Sequence, residues 1–311
     1  MPKLSIIVVS YNTRAETLAC LKSIKEQTTV PYQLIVVDNA SSDGSAEAIA
    51  AACPDCLLMA ESENHGFAKA NNLAARRATG EYLLLLNPDT VVLDGAIDTL
   101  VAFADSQPNA RIWGGRTLYA DKTLNPSSCW REFTLWSVVC RTTGLTGIFP
   151  RSALFNAEAY GGWNRDTVRQ VDIVSGCFFL IKTADWQALG GFDLTFFMYG
   201  EEADLCRRAR SKLGAAPMVT PEATIIHYGG VSETVRADRQ VKVLRAKGEL
   251  MKRYFPKWQQ PMARFLFAAY PLSRSLAGKV RARRGQGETH EVWHEVWQRR
   301  AEWVNGFQIS D

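Results

Sequence analysis

The sequence predicts an α/β protein built on a mostly parallel sheet. Short apolar runs alternate with segments of helical length through residues 4–105, and turn-forming residues separate them. This alternation is typical of a sheet with helices on both faces, because strands covered on both sides read as continuous apolar runs. The four runs are Leu4–Val9, Gln33–Asp38, Cys56–Ala60 and Tyr82–Leu86.

The segments between the runs predict helices. Ser42 or Asp43 and Asn64 are plausible N-caps for two of them, since short polar side chains bond the free amides at a helix start. The predicted helices cover Ala15–Gln27, Ser45–Ala52, Gly66–Thr79 and Ala96–Asp105, and a further strand covers Ala110–Gly115.

Residues 116–170 lack clear periodicity and predict an inserted, partly irregular region over the cleft. The pattern of Val171–Lys182 then predicts one strand, which contains Ser175 and Gly176. Residues 203–213 predict a helix. From about residue 231 the pattern is helical and charged, with breaks expected at three prolines. We therefore expect an α/β domain over residues 1–230 and a basic, mainly helical region over 231–311. The three prolines are Pro256, Pro261 and Pro271.

Composition indicates an ordinary globular protein in a reducing compartment. The 311 residues are 47% hydrophobic, enough for a packed core. The seven cysteines are odd in number and lack a framework spacing, so disulfides are not expected, and a lone Cys53–Cys56 spacing is weak evidence for zinc. The first apolar run is too short for a signal peptide, and no run approaches the length of a membrane span. We expect a cytoplasmic protein.

Charge is distributed unevenly. Residues 236–285 hold 14 Lys and Arg against 2 Asp and Glu, whereas the rest of the chain holds 22 against 30. Aromatic residues lie among these basic residues, which fits a peripheral site on the inner membrane face. A solvated helical face packed on the α/β domain explains the pattern equally well. Nucleic acid is not an expected partner, because no recognition module is present.

A carboxylate and an imidazole predict a metal site. Asn87-Pro88-Asp89 follows the strand Tyr82–Leu86, at the end where open α/β sheets bind ligands, and His227 follows a later apolar run. Asp89 and His227 together suit Mg²⁺ or Mn²⁺ completed by substrate phosphates. The alternatives are a plain turn and a structural histidine.

Polar residues also follow the first two strands. Tyr11, beside Ser10 and Asn12, can stack on a base, and Asp38 can accept a hydrogen bond from a base N–H. Ordinary turn chemistry is the competing explanation.

Two other segments are candidates for binding and catalysis. Asn64, Gly66 and Lys69 lie at a predicted helix start, a usable arrangement near phosphate or ribose. Glu201 and Glu202 begin another helix, and one of them in a partly apolar wall can act as a general base. Their alternative role is to complement the helix dipole.

Seven motifs in order resemble those of bacterial family 2 glycosyltransferases of GT-A fold, and most closely those of the rhamnosyltransferase branch. The resemblance covers roughly residues 3–232. The motifs are Val8–Asn12, Val36–Ser45, Asn64–Ala68, Leu86–Asp89, Gly190–Asp193, Gly200–Leu205 and His227–Gly230.

This resemblance implies an inverting, metal-dependent glycosyltransferase. It would transfer a sugar to a glycan or lipid-linked acceptor in cell-surface polysaccharide synthesis. The sugar that this branch implies is rhamnose, from dTDP-rhamnose. The resemblance also implies that Asp38 holds the base, Asp89 and His227 hold Mg²⁺ or Mn²⁺, and Glu202 is the catalytic base. The full donor-binding set is expected to be Ser10, Tyr11, Asn12, Asp38, Asn64, Gly66, Lys69 and Asn87.

The chain departs from the family pattern at two places. It has Glu201-Glu202 where Glu-Asp is commoner, so either glutamate is a candidate base, and Asn87-Pro88-Asp89 where many relatives have Asp-x-Asp. The acceptor pocket is expected at Trp163, Ser175 and Gly176, for which core packing is an equal alternative.

Other functions stay open at this stage. A nucleotide-sugar-binding protein with an inactive site, or a transferase that uses a UDP-sugar, would also fit. A nucleotidyltransferase and a dehydrogenase are disfavoured, because no glycine-rich loop follows the first strand.

Overall fold

The α/β class predicted from the sequence is confirmed. The structure is a computed structural model that describes residues 2–229, 236–282 and 289–307. The strands are β1 (Leu4–Ser10), β2 (Tyr32–Asp38), β3 (Leu57–Ala60), β4 (Tyr82–Leu86), β5 (Thr90–Val92), β6 (Ile112–Leu118), β7 (Leu124–Asn125), β8 (Cys129–Trp130), β9 (Arg169–Gln170), β10 (Ile173–Val174), β11 (Phe178–Lys182) and β12 (Met218–His227).

Helices follow most of the strands, as the alternating pattern predicts. They are α1 (Arg14–Gln27), α2 (Ser45–Ala52), α3 (Gly66–Ala75), α4 (Ala96–Ser106), α5 (Leu135–Thr142), α6 (Leu145–Ile148), α7 (Thr183–Leu189), α8 (Glu201–Leu213), α9 (Arg236–Tyr254), α10 (Gln260–Ala282) and α11 (Thr289–Gln298). Short 3₁₀ helices cover Pro108–Ala110, Pro126–Ser128 and Arg300–Glu302.

The chain divides into two compact units. The first comprises residues 1–130, 164–197 and 201–232, and the second comprises residues 131–163, 198–200 and 233–311. The predicted domain boundary at residue 230 falls outside the described residues and stays a prediction.

The first unit contains one large mixed sheet. Ten of the described strands belong to it, eight of them in the order β3-β2-β1-β4-β11-β6-β12-β5, while β7 pairs with β6 and β9 with β12. Neighbours among β3, β2, β1 and β4 run parallel, and so do β6 and β12. Alternate residues of β1 pack with α1, α2 and α4 in one core, and the residues between them are buried as well. Burial of both faces of β1 explains why its sequence is a continuous apolar run.

The second unit has its own core of helices. Apolar residues of α5, α9, α10 and α11 form one cluster around Trp303, whose side chain is fully buried. Glu158 is buried there between two cations: Arg141 Nε donates to its Oε2 at 2.9 Å, and Lys247 Nζ contacts its Oε1. Burial alone would raise the pKa of Glu158, but Arg141 and then Lys247 hold this pKa at about 2. The ion pairs therefore keep the buried carboxylate charged.

Four predicted elements are wrong in detail. β3 is not covered on both faces, because it is an edge strand with Leu57 41% exposed. The predicted strand Val171–Lys182 is split, because β10 pairs with β8 whereas β11 pairs with β4 and β6. Pro271 does not break the chain but lies inside α10, and α3 ends at Ala75 instead of Thr79.

Candidate active site

Three parallel strands end at one edge of the large sheet. In their register Ser10 of β1 lies opposite Asp38 of β2, and Val8 of β1 lies opposite Leu86 of β4. The loops after these strands therefore start side by side. Ligands bind outside the carboxyl ends of strands in open α/β sheets, so this edge is the expected site.

Hydrogen bonds join the loops after β1 and β2. The Asn12 amide donates to Ser41 Oγ at 2.9 Å, and Asn12 Oδ1 accepts from the Ser42 amide at 2.8 Å. Asn12 itself has a left-handed backbone, with φ 51°. Asparagine tolerates that conformation better than most residues, which explains its place in this turn.

Ser10 and Tyr11, both predicted to bind the donor, differ in accessibility. Ser10 is fully buried and its Oγ lies 2.9 Å from Thr17 Oγ1 in α1. Tyr11 is 37% exposed, so its ring is available for stacking on a planar ligand. Their assignment to donor binding stays a prediction.

Asp38 presents a buried carboxylate oxygen at this edge. The side chain is 3% exposed, and its Oδ2 accepts from the Ser41 amide at 3.1 Å. Its Oδ1 is buried and has no hydrogen-bond partner among the described residues. Such an acceptor normally finds a donor, so Oδ1 is suited to accept from a ligand N–H.

Asn39 links the loop after β2 to the start of α3, a role that sequence reasoning missed. Asn39 Nδ2 donates to Asn64 Oδ1 at 2.9 Å, and Asn39 Oδ1 accepts from the His65 amide at 2.9 Å. Asn64 Oδ1 also accepts from the Gly66 amide at 2.9 Å, but the N-cap of α3 is His65 and not Asn64 as predicted. The partners lie 25 residues apart along the chain, so no local spacing could have indicated the pairing.

Gly66 occupies a position that requires glycine. Its φ is +72°, and a Cβ here would lie 2.5 Å from the Phe197 carbonyl oxygen. That carbonyl accepts from the Phe67 amide at 2.9 Å, which fixes α3 against residue 197. Lys69, one turn into α3, is 44% exposed and lies 3.4 Å from Glu63.

Asp89 and His227 are brought together by strand pairing. β5 and β12 run antiparallel with Thr90 opposite His227, so Asp89 lies beside the end of β12. Asp89 Oδ1 is 3.4 Å from His227 Nε2, and the two side chains are 9% and 11% exposed. The Gly229 amide donates to Asp89 Oδ2 at 2.9 Å, which fixes the carboxylate while Oδ1 faces the imidazole.

Three further polar side chains surround His227. Asn87 Nδ2 lies 3.4 Å from its Nε2, and Ser127 Oγ lies 3.4 Å from its Nδ1. Asn125 Nδ2 donates to the His227 carbonyl at 3.0 Å. The sequence pointed to Asn87 but not to Asn125 or Ser127, which lie in the region without periodicity.

The surroundings of His227 raise the pKa of its imidazole. Burial disfavours the imidazolium, but Cys177 and the Asp89 carboxylate outweigh burial and raise the pKa of His227 to about 10. A metal ion binds the neutral form of imidazole, so metal binding to His227 would release the proton from the coordinating ring nitrogen.

Asp89 and His227 fit a metal only in part. Within the ranges that the structure describes, no group of three or more His, Cys, Asp or Glu side chains is arranged to hold one. The pair offers one carboxylate oxygen and one imidazole nitrogen that lie 3.4 Å apart. Mg²⁺ is commonly bound by one or two carboxylates plus substrate phosphates, so Asp89 fits this pattern whereas the imidazole of His227 departs from it.

Glu201 and Glu202 begin α8. Glu201 is 4% exposed, and its Oε2 has no hydrogen-bond partner among the described residues. Burial and then the neighbouring Glu202 raise the pKa of Glu201 well above its ordinary value of 4.5. The Glu202 side chain as a whole is partly exposed, but its Oε2, like that of Glu201, is buried. Two adjacent carboxyl groups, one of them with a raised pKa, are candidates for acid–base chemistry.

Asp204, the third carboxylate of this motif, has a structural role. It is fully buried and accepts from Arg208 Nε at 2.6 Å. The other two Arg208 nitrogens donate to the carbonyls of Leu189 and Gly191, each at 2.8 Å. The pair therefore fastens α8 to the end of α7.

Comparison with known proteins decides the family. The family model of glycosyl transferase family 2 matches residues 5–171, more than half of the chain. The chain belongs to glycosyl transferase family 2. The resemblance stated from the motifs is thereby confirmed, and the protein is a glycosyltransferase.

Relatives of this family 2 glycosyltransferase include rhamnosyltransferases. The N-acetylglucosaminyl-diphospho-decaprenol L-rhamnosyltransferase of Mycobacterium tuberculosis is 25% identical over 236 residues, which cover 72% of this chain and 76% of the relative. Rhamnosyltransferase WbbL of Escherichia coli is 30% identical over 176 residues, which cover 53% of this chain and 61% of the relative.

A solved structure confirms the GT-A fold. The mannosyltransferase from Pyrobaculum calidifontis, in complex with GDP-Man and Mn²⁺, matches with a TM-score of 0.58 at 16% identity. The match covers 98% of this chain and 85% of that one. At this identity the likeness shows the fold alone.

The residues predicted to bind the glycosyltransferase's acceptor fall in different units. Ser175 and Gly176 lie in the turn between β10 and β11, where a Cβ on Gly176 would be 3.2 Å from the Phe67 ring. Trp163 belongs to the second unit and packs edge-on against Tyr160, with ring centroids 5.8 Å apart. Their role at the acceptor stays a prediction.

Proposed function

We propose that this family 2 glycosyltransferase is an inverting, metal-dependent rhamnosyltransferase that uses dTDP-rhamnose. Its acceptor is a glycan or lipid-linked glycan of cell-surface polysaccharide synthesis. The names of the Mycobacterium tuberculosis and Escherichia coli relatives support the sugar and the acceptor class. The single observation that carries the chemistry is the Asp89–His227 pair at the end of the sheet.

The nucleotide of the donor is bound at the edge formed by β1, β2 and β4. Asp38 Oδ1, buried without a protein donor, accepts from the base N–H, and Tyr11 stacks on the ring. Asn12 holds the first loop in place by its bonds to the second loop. The start of α3, including Asn64, Gly66 and Lys69, faces the ribose or phosphates.

Asp89 and His227 would hold Mg²⁺ or Mn²⁺, with Asn87 beside His227. When bound, the cation neutralises charge that develops on the departing diphosphate. Asp89 and His227 would leave the other positions on the cation to substrate phosphates and water, as is common for Mg²⁺.

Glu202 takes the proton of the acceptor hydroxyl as the new glycosidic bond forms, with Glu201 the alternative base. The hydroxyl oxygen bonds to the anomeric carbon on one face while the bond to the diphosphate breaks on the other, so the configuration inverts. A sugar hydroxyl is a poor nucleophile unless a base removes its proton in the transition state. Glu202 is partly exposed, whereas Glu201 is buried, which supports Glu202 as the residue that meets the acceptor.

Calorimetric titration of the protein with dTDP, UDP and GDP, each with and without Mn²⁺, tests the donor site. Binding of dTDP that strengthens with Mn²⁺ in the native chain, but not in Asp89→Ala, is the expected result. Preference for UDP or GDP would replace the proposed donor. Failure of all three to bind would refute the proposed donor site.

A transfer assay then tests the sugar. The protein is incubated with dTDP-rhamnose and Mn²⁺ in the presence of a bacterial membrane extract that contains lipid-linked glycans, and dTDP release is measured. Release that requires both the extract and Glu202 supports the proposal. No release above the Glu202→Gln background would contradict it.

A further inference from the structure

Helix α10 is apolar on two opposite faces. Its inward face includes Ala263, Phe267 and Tyr270, all buried in the core of the second unit. The outward face also carries large apolar side chains. An apolar face on both sides of a helix is normal for a buried or membrane-associated helix, not for one whose second face meets water.

The outward side chains form a regular stripe. Positions 258, 262, 265, 269, 272 and 276 recur every three or four residues and so share one side of the helix, the first of them in the turn before it. We define the α10 stripe by its four most exposed members. They are Trp258 (75% exposed), Met262 (50%), Phe265 (74%) and Leu276 (55%).

This stripe lies in a segment without negative charge. Residues 250–287 contain 9 Lys and Arg and no Asp or Glu. Lys257 and Lys279 are exposed near the two ends of the stripe. A partner for this surface must therefore accept apolar side chains and carry negative charge.

We propose that the α10 stripe lies on the surface of an anionic lipid bilayer. Trp258 and Phe265 enter the interface between headgroups and acyl chains, and Lys257 and Lys279 contact anionic headgroups. Among the described residues no helix combines the length and apolarity that crossing a membrane requires, so α10 lies along the bilayer. The exposed Lys257 and Lys279 favour an anionic lipid surface over a second copy of this chain, because a second copy would bring the same cations to the contact.

The inference goes beyond the proposed function and does not depend on it. Bilayer binding requires no donor, metal or acceptor. It can therefore be measured with the full chain whether or not transfer is detected.

Vesicle flotation tests the proposal. The full chain is mixed at low salt with vesicles of phosphatidylcholine alone or with phosphatidylglycerol, and the bound fraction is measured. We expect binding to the phosphatidylglycerol vesicles that weakens as salt is added, because headgroup attraction is screened. Absence of binding to anionic vesicles at low salt would overturn the proposal.

Two pairs of substitutions separate the apolar and charged contributions. Trp258→Ser with Phe265→Ser should weaken binding about tenfold or more, because two large side chains no longer leave water. Lys257→Gln with Lys279→Gln should weaken binding to anionic vesicles about fivefold for each charge removed.

The matched control is Ile148→Ser. Ile148 is 66% exposed in α6 of the same unit and lies outside the stripe, so its loss should leave vesicle binding unchanged. All the changed side chains are exposed, so thermal unfolding should stay unchanged and exclude misfolding as the cause.

Two other outcomes would overturn the inference. Flotation that is equal for the stripe variant and the native chain would remove α10 from the interaction. Sedimentation velocity without lipid that shows a dimer, lost in the stripe variant, would assign the stripe to self-association instead.

Discussion

Replacing Glu202 by Gln tests the assignment of the catalytic base most directly. The substitution keeps the size of the side chain and removes its capacity to accept a proton. General base catalysis contributes about 10²–10⁴-fold, so kcat should fall by that factor, or about 3–5 kcal/mol. Binding of the donor nucleotide should stay within about twofold of the native value, because no donor contact is assigned to Glu202.

Glu201→Gln is the matched control, and the structure predicts a smaller effect. Glu201 is 4% exposed, and burial together with Glu202 raises its pKa well above 4.5. A neutral amide resembles the protonated acid that this environment favours. We therefore expect a loss in kcat of less than about tenfold, well below the loss for Glu202→Gln.

The pH profile gives a second readout of the pair. Ionisation of two adjacent carboxyl groups is opposed by their mutual repulsion. Glu201→Gln replaces an acid whose protonated form is favoured by its surroundings, so it should hardly change the ionisation of the carboxylate that remains. The acid limb of its kcat profile should therefore stay close to that of the native enzyme.

The assay is dTDP release measured from pH 5 to 9 with and without acceptor, together with nucleotide titration of both variants. Native activity in Glu202→Gln would remove Glu202 from the mechanism. A larger loss in Glu201→Gln than in Glu202→Gln, with both variants folded, would reverse the two roles.

Three further predictions concern metal binding, backbone geometry and acid stability. Asp89→Asn should weaken nucleotide binding about tenfold or more with Mn²⁺ but leave it unchanged without metal, and calorimetry measures both. Gly66→Ala should lower the free energy of unfolding, measured by urea denaturation, by about 1–3 kcal/mol. The reason is that φ is +72° and the new Cβ would lie 2.5 Å from the Phe197 carbonyl oxygen. Gly190→Ala, with φ +76° but no atom of the described residues within 4 Å, should cost less. The pKa of Glu158 falls from 4.5 to about 2 on folding, so the ionised carboxylate should stabilise the second unit by about 3 kcal/mol above pH 4.5. This stabilisation should be lost as the pH falls from 4.5 towards 2. In Glu158→Gln the free energy of unfolding should depend less on pH over the same range.

Sequence reasoning reached the candidate site because strand ends leave a local signal. Apolar runs that end in polar residues identified Asp38 and Asp89 at the correct edge of the sheet, and the order of the motifs identified the family. Asn39 lay in the same loop but was not selected, because its partners at Asn64 and His65 follow a further strand. Local pattern therefore indicated the candidate site without giving its hydrogen-bond network.

The sequence by itself determined most of the strands and helices of residues 4–105, since the hydrophobic period acts within a few positions of the chain. The tertiary structure alone decided which strand is an edge, why residues 171–182 divide between two sheets, and that Pro271 lies within a packed helix. It also decided that Asn87 and His227, 140 residues apart along the chain, lie within 3.4 Å of each other. The pairing of β5 with β12 places them there, and such pairing depends on closing a long loop against distant contacts that no local window of sequence contains.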